Sequence, residues 1–70
     1  MITLDEIRKR IVETIKQSGL TQTEIAKKLN IGQQVISEYV RGKSLPALDT
    51  LANLCRILDV DANYILCLVD

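Results

Sequence analysis

The sequence predicts an all-α fold, a compact bundle of five short helices, and three observations carry that reading. Apolar residues recur at spacings of three and four, the period of a helix with one buried face, and no segment reads as a strand. Three of the apolar runs are preceded by residues that cap helix starts, Thr3, Thr21 and Asp61. Three are followed by residues that adopt the left-handed backbone cheaply, Gly19, Asn30 and Gly42.

The first helix opens with Thr3-x-x-Glu6, a capping box in which hydroxyl and carboxylate take up orphan backbone amides. Leu4, Ile7, Ile11 and Ile15 then mark its buried face, and Gly19 ends it. A second capping box, Thr21 to Glu24, starts a short helix whose inner residues are Ile25, Ala26 and Leu29. The chain turns at Asn30, Ile31 and Gly32, with Gly32 an acceptable N-cap for the third helix. That helix runs from Gln33 to about Val40, with Ile36 and Tyr39 inward and Gly42 as its stop. Lys43 to Pro46 form a connection to a fourth helix, whose apolar positions are Leu48, Leu51, Ala52, Cys55 and Leu58. Its N-cap is Ala47, a poor capper that costs roughly 1 kcal/mol relative to Ser. Asp61 caps the fifth helix, which carries Tyr64, Ile65, Leu66, Cys67, Leu68 and Val69.

Length and charge bound the possible functions. Seventy residues make one domain with a thin core. With two Tyr and no Phe or Trp, the chain lacks the aromatic platforms on which single-stranded nucleic acids stack. Duplex reading by hydrogen bonds to base edges needs no such platform. The net charge is zero but unevenly spread: residues 1–46 carry eight Lys/Arg against five Asp/Glu, +3, and residues 47–70 carry one against four, −3. Two cysteines, Cys55 and Cys67, with no His build neither a zinc site nor a Cys–His nucleophile. Both read as reduced cysteines packed in a core. No cofactor, metal site or catalytic residue is expected, so the chain is not read as an enzyme. The start, Met1 to Glu6, has no features of a leader, and the longest apolar stretch, Tyr64 to Val69, is too short to span a membrane. A cytoplasmic protein is expected.

The second and third helices, joined by a short turn, have the geometry of a helix-turn-helix over about 22–41. Ala26 falls at the closest approach of the two, while Ile25, Leu29, Ile31, Ile36 and Tyr39 anchor them to the core. The third helix then stands out as a ridge of a width that fits the major groove. At this point the chain resembles a known family. Leu20-Thr21-Gln22-Thr23-Glu24-Ile25-Ala26-Lys27-Lys28-Leu29-Asn30-Ile31 is similar to the opening of the Cro/repressor (XRE-type) helix-turn-helix. Ile36 to Lys43 followed by Leu45-Pro46 is similar to its exit, and Leu48-Asp49-Thr50-Leu51 and Ile57 to Asp61 to its closing pattern. The likeness runs from Ile7 to Leu66 and implies a lambda-repressor-like DNA-binding domain. The chain departs from the family in having Asn30 for Gly, and Gly32 and Ala47 for Ser or Thr. It also has Ile15 where many members carry Arg, so no phosphate contact is carried over to that position.

The resemblance places the base-reading residues at Gln33, Gln34, Ser37 and Glu38, the paired glutamines being similar to those of a lambdoid phage repressor. The chemistry agrees, because a Gln amide can bond both N6 and N7 of adenine, and an ionised Glu can accept from the cytosine N4 amine. Taken without that context, the same four residues read as the solvated face of an amphipathic helix. Phosphate contacts are expected from Thr21 and Gln22 with the amide end of the second helix, and from Arg41, Lys43 and Ser44. Lys27 and Lys28 read equally as phosphate contacts or as solvated surface. The apolar tail, one candidate dimerisation helix over 62–69, offers Tyr64, Leu66, Cys67, Leu68 and Val69 to a second copy. The expected partners are therefore double-stranded DNA and a homodimer mate, with the chain acting as a regulator of transcription, a repressor reading a palindromic operator. An alternative stays open: an antitoxin-like or adaptor module whose main partner is a protein, with DNA binding secondary or absent.

Overall fold

Five helices make up the structure: α1 (Leu4–Gln17), α2 (Gln22–Leu29), α3 (Gln33–Val40), α4 (Leu48–Leu58) and α5 (Ala62–Ile65), with no strand. The computed structural model describes residues 1–70.

Local chemistry sets the helix ends. At α2 the capping box is reciprocal: the Glu24 amide donates to the Thr21 hydroxyl at 3.1 Å, and the Thr21 amide to the Glu24 carboxylate at 2.9 Å. At α1 only half of the expected box forms. The Glu6 amide donates to the Thr3 hydroxyl at 3.2 Å, but that hydroxyl itself donates to the Glu6 carboxylate, so the acid does not reach back to the Thr3 amide. Ala47 makes no capping bond, and Asp49 compensates from inside α4, its carboxylate accepting the Thr50 amide at 2.9 Å. Asn30 takes the left-handed conformation expected of it, at φ 56°. Asp59 does the same at φ 55°, so α2 and α4 close alike. In each, the amide one residue further on returns to a carbonyl in the last turn, Ile31 to Ala26 and Val60 to Cys55, both at 3.0 Å.

The core is small and draws on every helix: Ile11 and Ile15 from α1, Ile25 and Ala26 from α2, Ile36 and Tyr39 from α3, Leu54 and Cys55 from α4, and Ile65 from α5. Ile25 and Ile36 are fully enclosed, so each helix of the α2–turn–α3 pair is anchored by one isoleucine. Full burial of such a side chain stabilises the fold by about 1.5–3 kcal/mol.

Several further expectations are corrected. Leu4, assigned to the inner face of α1, is 63% exposed, because the first turn of that helix runs past the edge of the core. On α4, Leu48 and Ala52 lie on the surface, and Leu54 is buried instead. The working face of α4 is Leu51, Leu54, Cys55 and Leu58, a stripe spaced by three and four in which Leu48 projects beyond the first turn. The third correction concerns the tail. The helix expected over 62–69 is a single turn, since Cys67 adopts φ 64° and reverses the chain. The reversal is closed by the Cys67 amide on the Tyr64 carbonyl at 3.1 Å and the Leu68 amide on the Asn63 carbonyl at 2.9 Å. Residues 66–69 therefore form a non-helical strap. Leu66 and Cys67 are half-buried against the domain, while Leu68 and Val69 are exposed.

Candidate nucleic-acid interface

The third helix has two sides with different duties. Ile36 and Tyr39 sit in the core, while Gln33 and Gln34 are exposed and Ser37 and Glu38 half-exposed. All four expected base-reading residues thus remain accessible on a helix whose other side is fixed. Gly32, its N-cap, is extended at φ −71° and ψ 144° and makes no side-chain capping bond. Gly32 itself thus puts no side chain over the start of α3.

A contact between α2 and α3 orients the first reader. The Gln33 side-chain amide donates to the Gln22 side-chain carbonyl at 3.2 Å. The expected phosphate contact Gln22 and the expected base reader Gln33 are thus joined by a hydrogen bond. Nothing in the sequence signals this, since the residues lie eleven positions apart on separate helices.

The expected phosphate contacts divide into two groups. At the start of α2, Thr21 is exposed, but its amide and one hydroxyl lone pair are already engaged with Glu24. The donors left there are the Gln22 and Thr23 amides and the Gln22 side chain. Beyond α3, Arg41 and Lys43 are exposed and Ser44 half-exposed. They sit in a turn held by the Lys43 amide on the Glu38 carbonyl at 2.9 Å and the Gly42 amide on the Tyr39 carbonyl at 3.1 Å. Gly42 has φ 75°, and a Cβ there would meet Arg8 Cδ at 3.3 Å, so the turn is both left-handed and tightly overlaid. Lys27 is exposed on α2 beside Lys28. The only ion pair in the molecule joins Arg8 to Asp5 at 2.7 Å. Lys27, Arg41 and Lys43 are therefore free of carboxylate partners.

Electrostatics keep the neighbouring groups in fixed charge states. Burial, with smaller contributions from Asp49 and Glu38, raises the Tyr39 pKa, so its hydroxyl stays neutral under α3. The hydrogen bonds from the Thr21 amide and hydroxyl hold Glu24 below the usual carboxylate value, with Lys28 adding to the effect against a small cost of burial. Cys55 is buried and its thiol is pushed up by that burial and by Asp61, whereas Cys67 lies on the strap and not in the core.

A capped helix, a left-handed Asn30 turn and a second helix anchored inside and polar outside define a helix-turn-helix domain of the Cro/repressor type. The chain belongs to the helix-turn-helix family, matching it over residues 11–65. It is 41% identical over 58 residues to the HTH-type transcriptional regulator ImmR of Bacillus subtilis, covering 83% of this chain and 46% of that protein. It is also 41% identical over 51 residues to the uncharacterized HTH-type transcriptional regulator YqaE of the same organism, covering 73% of this chain and 44% of that one. A third relative, multiprotein-bridging factor 1a of Arabidopsis thaliana, is 38% identical over 53 residues, covering 76% of this chain and 37% of that protein. The chain spans less than half the length of these relatives. No helix is long and apolar enough to cross a membrane.

Proposed function

We propose that this chain binds double-stranded DNA sequence-specifically and regulates transcription as a homodimer, a repressor on a palindromic operator. The observation that carries the reading is the accessible Gln33–Gln22 pair at the start of a helix whose other side is core. α3 enters the major groove by its N-terminal end. Gln33 and Gln34 present paired donors and acceptors to adenine, Glu38 accepts from a cytosine amine, and Ser37 bonds either base. Gln22, Thr21 and the free amides of α2 grip one phosphate; Arg41, Lys43 and Ser44 grip another, with Lys27 adding charge. The names of ImmR and YqaE as transcriptional regulators support this assignment.

A second copy supplies what one copy lacks. With net charge zero, a single domain has a weak pull on the phosphate backbone, whereas two linked half-sites multiply their affinities. The strap offers the contact through Leu68 and Val69, flanked by Tyr64, Leu66 and Cys67, and sets half-sites about one DNA turn apart.

Selection of bound duplexes from a random pool tests all of this together. The expected outcome is a palindrome whose half-sites depend on Gln33 and Gln34. Unchanged discrimination after Gln33→Ala and Gln34→Ala would remove the base-reading assignment. One observation favours a protein-bridging role: three relatives are named as multiprotein-bridging or multi-protein-binding factors. Absence of binding to any duplex in the pool at low salt would select that reading.

A further inference from the structure

Arg10 is the one side chain whose hydrogen bonds tie the two ends of the chain together. Its Nη1 donates to the Tyr64 carbonyl at 2.7 Å and to the Val69 carbonyl at 2.6 Å. Its guanidinium carbon lies 4.4 Å from the centre of the Tyr64 ring. These bonds span 54 and 59 positions, and every other side-chain hydrogen bond spans eleven or fewer. Each contact exploits a different property of the guanidinium: one charged nitrogen with two N–H donors for two carbonyls, and a flat, weakly hydrated face for the ring.

The strap needs such a tie. After Ile65 the chain leaves α5 and reverses at Cys67 in a conformation that a non-glycine residue adopts at a cost. The hydrogen bonds of Cys67 and Leu68 close the reversal but reach only α5 itself. Arg10 alone connects the strap to α1 by hydrogen bonds, and Val69 is the outermost residue it holds. Both Arg10 and Val69 lie outside the stretch, residues 11–65, over which the chain matches its family.

We propose that Arg10 is a positioning residue for dimerisation, a latch that holds residues 66–69 in the one place where Leu68 and Val69 face a second copy. This rests on the homodimer reading given above. With Arg10 in place the strap is ordered before the partner arrives, so association does not have to order it. Without Arg10 the strap frays, and the same apolar residues are presented in many positions. The reading helix, anchored in the core by Ile36 and Tyr39, is unaffected.

The test compares the wild-type chain with Arg10→Met, which keeps the apolar stem, and Arg10→Lys, which keeps a charged donor but loses the flat face on Tyr64. Sedimentation of the wild type comes first, and a monomer at all concentrations defeats the dimer reading and the proposal with it. Given a dimer, amide hydrogen exchange at Cys67 and Leu68 is expected to quicken at least tenfold in Arg10→Met, and less in Arg10→Lys. Ile25 and Ile36 should remain protected, which reports that the domain is still folded. Dimer affinity and affinity for a full palindrome should each fall at least tenfold, while affinity for an isolated half-site duplex stays within twofold. Unchanged exchange on the strap overturns the latch even though the wild type dimerises. Quickened exchange with unchanged dimer affinity overturns its role in dimerisation.

Discussion

Gln33 touches another helix before it touches any base, and at this scale the predictions concern single side chains. Replacing Gln33 by Ala should cost about 1–3 kcal/mol of discrimination at one base pair of each half-site, measured by competition between matched and mismatched duplexes. Gln22→Leu should reduce discrimination at the same base pair, because Gln33 loses its hydrogen-bond partner. Glu24 offers a pH test. Its folded pKa is lowered below the ordinary 4.5 by the Thr21 bonds, so its contribution to stability is present above that value and is lost as pH falls through the folded pKa. Chemical denaturation from neutral pH down to about pH 3 should show Glu24→Gln losing less stability with acid than the wild type. Cys55, buried and held protonated, should react with thiol reagents only as fast as the chain unfolds, which mass spectrometry after timed labelling can follow. The accessible face of α3, with Gln33, Gln34, Ser37 and Glu38, was legible in the sequence because Ile36 and Tyr39 fix which side of that helix is buried. The Gln22–Gln33 and Arg10–Val69 contacts were not, because each depends on how separate elements are set against one another.

Among the elements, the helix ends show where sequence patterns are strong and where they fail. Capping residues and left-handed positions gave α2 and α3 their bounds, since Thr21, Glu24 and Asn30 each act on backbone within a few residues of themselves. The start of α4 was also read correctly as uncapped, and it defines a prediction. Ala47 already has the extended backbone of an N-cap, φ −62° and ψ 163°, so Ala47→Ser should add about 1 kcal/mol. In a domain of this size that is a rise in Tm of about 4–8 °C, to be read by thermal melting. The tail was misjudged because six apolar residues in a row have no period to reveal a break. Their helix is interrupted by Cys67, a residue type that gives no signal for a left-handed turn. Leu48 was misjudged differently: its spacing fits the stripe, but the core does not extend as far as the first turn of α4.

For the whole molecule, stability and recognition share one set of contacts. The core holds nine residues, two of them on α3, so Ile36→Ala should cost about 2–5 kcal/mol and leave much of a domain this small unfolded. Urea denaturation checks this, and DNA binding should fall in proportion to the folded fraction. Charge makes the other prediction at this scale. If Lys27, Arg41 and Lys43 are the cations facing phosphate, a dimer neutralises about six charges, and the logarithm of affinity should fall with the logarithm of salt at a slope of about −5. A slope near zero would remove these three residues from the interface.

The bond between Gln22 and Gln33 also links two kinds of information. Gln22 stands where a phosphate would be gripped and Gln33 where a base would be read, and a single hydrogen bond makes the pose of one depend on the pose of the other. Under the proposed function, a domain sitting out of register on the backbone would displace Gln22 and thereby spoil the orientation of Gln33. Correct placement on the duplex and correct reading of its sequence would then be verified by the same event.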